Sequence, residues 1–205
     1  MKLYYSPGAC SQAAHIILHE AGLEHSSEAV DLRTKRTASG RDYWAVNPKG
    51  SVPAIVLDSG EVLTENGAVL QFLGDQAPAS GLLPTEGIGR YRVIEWLAYL
   101  GSEVHKSFGP LFNPASSDEV KASAREMVAK KFNFLEQSLE GRDYLAGPSM
   151  TVADPYLFAM LGWTNFGIDL AKWPNLAALR QRMEQRPSVQ AVLRAEGLAE
   201  KADAS

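Results

Sequence analysis

The chain carries one cysteine, Cys10, directly after the turn-forming run Ser6-Pro7-Gly8-Ala9 and at the start of a helical pattern. Backbone N–H groups and the positive end of a helix dipole favour a thiolate at such a place, so the position suits a nucleophile or a redox thiol. The run Cys10-Ser11-Gln12-Ala13 contains no second cysteine, so an intramolecular dithiol cycle is impossible. A partner thiol has to come from another molecule, and glutathione is the abundant one. A lone cysteine is otherwise read as a small buried hydrophobe, and only its placement speaks against that here.

Three further groups could act with this thiol. Val52-Pro53 precedes a strand; Pro opening a strand is the plain reading. A cis bond there would turn the Val52 N–H and C=O toward the thiol, where a peptide could pair as an added strand. Glu65-Asn66 opens a helix whose free N–H groups, with the Asn66 side chain, could hold a carboxylate while Glu65 faces an ammonium. Glu65 could equally be an acid well placed on the helix dipole. His105-Lys106 lies near the end of a long helix, where cations suit the dipole; His105 could also face the thiol as a general base.

Other residues read as structural. His15 and His19 share a helix face at a spacing that a metal could use, but no third ligand is placed beside them. They are taken as a surface pair, and no metal site is expected. Thr151-Val152-Ala153-Asp154 reads as a capping box, with the Thr hydroxyl on the Asp154 N–H and the carboxylate reaching back. Pro155 within that first turn has no explanation at this level. Phe108, Phe112, Tyr156, Met160, Trp163 and Phe166 read mostly as core, although an electrophile would need some apolar wall between domains.

These groups need elements to position them. Residues 2–5 read as a strand, and a helix carrying Ala14, Ile17, Leu18 and Ala21 closes at Gly22. Ser27 to Leu32 reads as a second strand. Ala54–Leu57 and Val62–Leu63 form a hairpin around Asp58-Ser59-Gly60, and a helix with Val69, Leu70, Phe72 and Leu73 follows. This order, a parallel crossover unit and then an antiparallel hairpin, is the thioredoxin arrangement. Residues 1–77 form that domain, 78–86 a Pro/Gly/Ser-rich linker, and 87–205 an all-helical domain. The last shows helices around Val93–Val104, Asp118–Leu139 (with Val120, Ala124, Met127, Val128, Phe134 and Leu135), from Thr151, and near 175–185 and 188–195, the last two separated by Pro187.

The composition of the 205 residues is that of an ordinary globular protein, with 45% apolar and 21% charged residues. The net charge of −4 and the interleaved acids and bases exclude a basic nucleic-acid stripe. There is no apolar leader and no run of roughly 18 apolar residues, so the expectation is a cytoplasmic protein without membrane contact.

The runs Met1-Lys-Leu-Tyr-Tyr-Ser-Pro-Gly-Ala-Cys10-Ser11, Asn47-Pro-Lys-Gly-Ser-Val-Pro53, Leu63-Thr-Glu65-Asn66, Val104-His105-Lys106-Ser-Phe and Leu111-Phe-Asn-Pro-Ala-Ser-Ser-Asp118 resemble the bacterial beta-class glutathione S-transferases. The similarity spans essentially the whole chain. It implies a homodimer that uses glutathione as co-substrate, with no tightly bound cofactor, and conjugates it to a hydrophobic electrophile. Thiol–disulfide exchange or reductive dehalogenation through Cys10, and non-catalytic carriage of hydrophobic ligands, are the alternatives. It further implies that Cys10 and His105 approach the glutathione sulfur. Lys35, Val52, Pro53 and Lys106 would then be contacts, and Glu65 and Asn66 would hold the γ-glutamyl end. Asn66 stands where the class usually has Ser, and Ala98 where some members have an Asn linked to the neighbouring subunit's site.

Overall fold

The structure, a computed structural model, describes residues 1–199. Five strands form one mixed sheet in the order β3-β2-β1-β4-β5, with β1 Lys2–Tyr5, β2 Ser26–Asp31, β3 Arg36–Thr37, β4 Ala54–Val56 and β5 Val62–Thr64. β1 runs parallel to β2, while β4 is antiparallel to both β1 and β5. The right-angled logic of strand side chains is visible in β1. Leu3 and Tyr5 point into the large core, and Tyr4 points to the opposite face, into a small cluster with Val30, Tyr43, Val52 and Ala54. Two helices, α1 Gln12–Glu20 and α2 Asn66–Gln76, cover the large-core face. The two-residue β3 and the short 3₁₀ turn Tyr43–Ala45 lie in a stretch that showed no periodicity.

The remaining elements are helical. α3 Gly87–Tyr99 continues through a π-helical turn, Leu100–His105, into α4 Gly109–Phe112. Then come α5 Asp118–Ser138, α6 Ala153–Leu161, α7 Pro174–Glu184 and α8 Pro187–Ala195. Pro187 is thus the first residue of α8, where its missing N–H costs no helical bond. Among the described residues no helix is long and apolar enough to cross a membrane.

α1 explains how the two parts are joined. It packs against α2 of its own part and against α6 and α8 of the helical part. Every residue from Gln12 to Leu18 is therefore buried, so the helix is enclosed all round rather than on one stripe. This corrects the reading of His15 as a surface residue: it is 1% exposed, and its Nδ1 meets the fully buried Glu196 carboxylate at 3.0 Å. A second tie stands at the end of α1, where Glu20 accepts from Arg186 and Ser188. Burial would raise the Glu20 carboxyl, but these donors overcome it and hold it below its ordinary value. At the other seam Gly74 lets α2 come close to the chain after it, since a Cβ there would lie 2.6 Å from Leu83 Cβ.

On α5, the periodic apolar positions divide into two sets. Ala124, Val128, Phe132 and Leu135 enter the core, whereas Val120, Met127 and Phe134 remain exposed. Phe134 instead lies beside Trp96 and Tyr99 of α3 on the outer surface.

The cap of α6 differs from expectation in one bond. Asp154 Oδ2 accepts from the Thr151 N–H (2.7 Å) and hydroxyl (3.0 Å), but the Thr151 hydroxyl accepts from Ala153 rather than from Asp154. Asp154 Oδ1 takes the Leu145 N–H at 2.8 Å, fastening the preceding loop as well. Burial pushes this carboxyl up to about 6 against the pull of its donors, so at neutral pH it is a carboxylate with three partners. Pro155 is now explained. It is the third residue of α6, where no preceding helical carbonyl awaits an N–H. Replacing Asp154 by Ala orphans three buried donors, and we expect a loss of about 2–4 kcal/mol in urea unfolding. A loss below about 1 kcal/mol would show that the loop and the helix start hold without it.

Candidate active site

The turn that bears Cys10 is built from its own short-range bonds. Ser11, wholly buried, accepts from the Ser6 N–H at 3.1 Å, and Ala9 and Gln12 close successive turns onto Ser6 and Ala9. Gly8, with φ +68°, bends the chain at the middle. Two residues of the helical part grip that glycine: Trp163 Nε1 donates to its carbonyl at 2.8 Å, and its N–H donates to Glu196 at 2.9 Å. α1 proper begins at Gln12, so Cys10 sits in the turn just before it.

Cys10 is half-buried, and its thiol donates to the Val52 carbonyl at 3.2 Å. The Val52-Pro53 bond, just before β4, is cis. The segment is held from behind: the Tyr43 hydroxyl (2.8 Å) and the Asn47 amide (2.7 Å) both donate to the Ser51 carbonyl. Gly50, at φ +63°, lies against the Trp44 ring, where a Cβ would fall 2.6 Å from ring carbons. The Val52 N–H meets no acceptor among the described residues.

The expectation of a thiolate at Cys10 is corrected. Burial pushes the thiol up to about 12, although the N–H groups of Cys10 and Ser11 pull the other way; Glu65 adds to the rise. The local dipole is real but smaller than the loss of solvent around sulfur. At neutral pH Cys10 is a protonated donor.

Asn66 also differs from its expected part. Its Nδ2 donates to the Cys10 carbonyl at 2.8 Å, so the side chain ties α2 to the cysteine turn; its Oδ1 is buried without a partner among the described residues. The backbone carries the open donors. The N–H groups of Asn66 and Gly67, at the N-terminus of α2, meet no acceptor among the described residues. Just before them Glu65 holds φ +72°, ψ 121°, a sparsely populated backbone state of the kind that costs about 1–3 kcal/mol and concentrates at functional sites. Its exposed carboxylate meets Lys49 at 2.6 Å. Pairs this exposed hold with at most about 1 kcal/mol, so another ammonium can displace Lys49. Lys35 donates to the Gly50 carbonyl at 2.7 Å over the Trp44 ring.

His105 comes from the π-helical turn and is half-buried. Its Nδ1 lies 2.8 Å from the Tyr156 hydroxyl, and its ring lies 4.9 Å from that of Trp163. Burial lowers its pKa, so the imidazole is neutral at neutral pH. Tyr156 is the link that the sequence concealed by its core-like spacing. Burial drives its hydroxyl above the phenol range, and the Cys10 sulfur and the Asn66 amide are among its neighbours. Cys10 is thus bonded to Val52 and to Asn66, and His105 is bonded to Tyr156. Lys106 is exposed and takes no part in these bonds. Beyond His105 an aromatic wall of Phe108, Trp163, Phe112 and Phe166 runs outward, the last two 41% and 39% exposed.

Comparison with known proteins bears on the same regions. Residues 7–76 match the glutathione S-transferase N-terminal domain, and residues 101–187 the C-terminal domain. The chain is 46% identical to the glutathione S-transferase GstA of Escherichia coli O157:H7, over 97% of this chain and all of that one. A sphingomonad glutathione S-transferase complexed with glutathione superposes with a TM-score of 0.93 at 53% identity, covering 97% of this chain and 100% of that chain. A bacterial beta-class glutathione S-transferase of Sphingomonas chungbukensis gives 0.94 at 50% identity with the same coverage. The chain belongs to the glutathione S-transferase family, in its bacterial beta class.

Proposed function

We propose that the protein conjugates glutathione to hydrophobic, aromatic-type electrophiles in the cleft between residues 1–77 and the helical domain from 87 onward, with 78–86 as the linker. The observation that carries this reading is the Cys10 thiol on a fixed peptide edge at Val52, in the turn that Asn66 ties to the free N–H groups at the start of α2. Glutathione pairs with the Val52 edge beside Pro53 as an added strand. Its γ-glutamyl carboxylate takes the free N–H groups of Asn66 and Gly67, and its ammonium replaces Lys49 on Glu65. Lys35 and Lys106 line the outer rim and face the glycyl carboxylate. The peptide supplies most of the charge, and the protein supplies position.

With Nδ1–H given to the Tyr156 oxygen, His105 presents a bare Nε2 that takes the proton of the glutathione thiol. The protonated Cys10 turns its S–H from the Val52 carbonyl to the new thiolate and stabilises it. The thiolate then attacks an electrophilic carbon, and for an aryl halide the halide departs with the bonding pair. The electrophile rests on the Phe112–Phe166 end of the aromatic wall. Exchange or dehalogenation through Cys10 is the second reading; it is favoured by the sulfur's access to the peptide edge and opposed by its protonation. We place the protein in the cytoplasm as a homodimer, with exposed Trp44, Val62, Ile88 and Tyr91 offering apolar surface to a second copy. Ala98, exposed on α3, cannot supply the hydrogen bond that an Asn there would give the neighbouring site.

Three measurements test this. With glutathione and an aryl halide, His105→Phe lowers kcat about a hundredfold while Cys10→Ala keeps it within about tenfold. Loss of conjugation in Cys10→Ala with His105→Phe fully active would overturn the assignment. Iodoacetamide labels Cys10 of the free protein more slowly than free cysteine at pH 7, and the rate keeps climbing with pH, past the point where free cysteine levels off, toward about 12. Rapid labelling at neutral pH would restore the thiolate. Phe112→Ala raises KM for the aryl halide about fivefold, from a lost aromatic contact of about 1 kcal/mol, and leaves KM for glutathione unchanged. The reverse pattern would move the electrophile elsewhere.

A further inference from the structure

At α1 and the loop that follows it, three histidines meet that the transferase chemistry does not use. One ring nitrogen from each of His15, His19 and His25 lies within 4.8 Å of the other two. The ring centroids stand 5.4 Å (His15–His19), 6.0 Å (His15–His25) and 5.2 Å (His19–His25) apart. His15 and His19 are one turn apart on α1, and His25 returns from the loop before β2 to complete the triangle. The sequence offered the first two but not the third, because only the chain reversal after Gly22 brings His25 back.

Their outer partners orient the rings as a metal site requires. The Nδ1–H of His15 donates to the buried Glu196 carboxylate at 3.0 Å, and the Nδ1–H of His25 donates to the Leu23 carbonyl at 2.8 Å. In the neutral ring each bond selects the tautomer whose Nε2 keeps its lone pair for a metal; a carboxylate behind a histidine also raises its strength as a ligand. His19 is exposed and makes no side-chain hydrogen bond among the described residues, so its ring is free to turn. A tetrahedral zinc with N ligands at about 2.0–2.1 Å sets those nitrogens about 3.3 Å apart. Closure by at most about 1.5 Å lies within the reach of side-chain rotation at His19 and His25, with His15 as the fixed ligand.

We propose that His15, His19 and His25 form a binding site for a divalent transition cation of the zinc type, with Glu196 as the carboxylate behind His15. Three neutral imidazoles suit zinc, nickel or copper and not the oxygen-seeking magnesium or calcium. The fourth position is open to water. The cation would also stiffen the contact that Glu196 makes with the Gly8 turn.

The test is isothermal titration of the full, tag-free protein with zinc chloride, with magnesium chloride as control. The expected result is one zinc per chain at roughly micromolar affinity or tighter, and no magnesium binding. His19→Ala/His25→Ala, altered only outside the buried ligand, weakens zinc at least a hundredfold while retaining glutathione conjugation. Glu196→Gln weakens it about 10–100-fold. Zinc also raises the unfolding temperature of the wild type and not of the double variant. No zinc heat, or zinc held equally by the double variant, overturns the site, whatever the outcome of the conjugation assays.

Discussion

The cysteine turn is shaped less by its own residues than by two groups that reach it from far along the chain. Gly8 gives its carbonyl to the Trp163 indole and its N–H to the Glu196 carboxylate, and both partners belong to the helical part. Glu196 is fully buried, a cost that its charge makes large unless donors surround it. Gly8, Gln12 and His15 are those donors. A charge-assisted bond of this kind contributes about 1.5–3 kcal/mol, and losing it strands a buried ion as well. The position of Cys10 against Val52 thus depends on helix α8 being in place.

Around the sulfur the protein keeps few fixed charges. Cys10 is protonated, His105 is neutral, and Tyr156 is held far above its ordinary range. The charged residues, Lys49 and Glu65, stay at the exposed rim in a pair that solvent already weakens. Such a site is suited to a ligand that brings its own charges, and to a reaction in which one negative charge appears on sulfur in a dry place. The strained Glu65 backbone and the close seat of Gly50 on Trp44 belong to the same design, since both position main-chain groups rather than side chains.

Much of the fold was legible because burial writes a period into the sequence. The β-forming run at residues 2–5, the hairpin around Gly60 and the helical spacing of Val93, Leu97, Leu100 and Val104 all correspond to observed elements. The Pro53 edge and the cysteine turn were legible from turn chemistry. What failed did so for one reason: local signals say nothing about what arrives from elsewhere. The helix dipole at Cys10 can be read locally, but the desolvation that outweighs it cannot. His15 was assigned to the surface because nothing near it in sequence covers it; α6 and α8 do. Asn66 was expected to face a ligand, whereas its amide is occupied by Cys10. Tyr156 has the spacing of core and is core, apart from a hydroxyl whose direction no periodicity encodes.

The enclosure of α1 has a bearing on how the chain is made. Synthesis proceeds from the N-terminus, so the sheet and its two helices leave the ribosome while α6, α8 and Glu196 have yet to be translated. At about 5–20 residues per second that interval is on the order of ten seconds. Throughout it, the His15 imidazole and the rest of the α1 surface that α6 and α8 later cover face water or whatever else binds a naked helix. The first unit emerges early but becomes complete last, since the partners of α1 are translated at the far end of the chain.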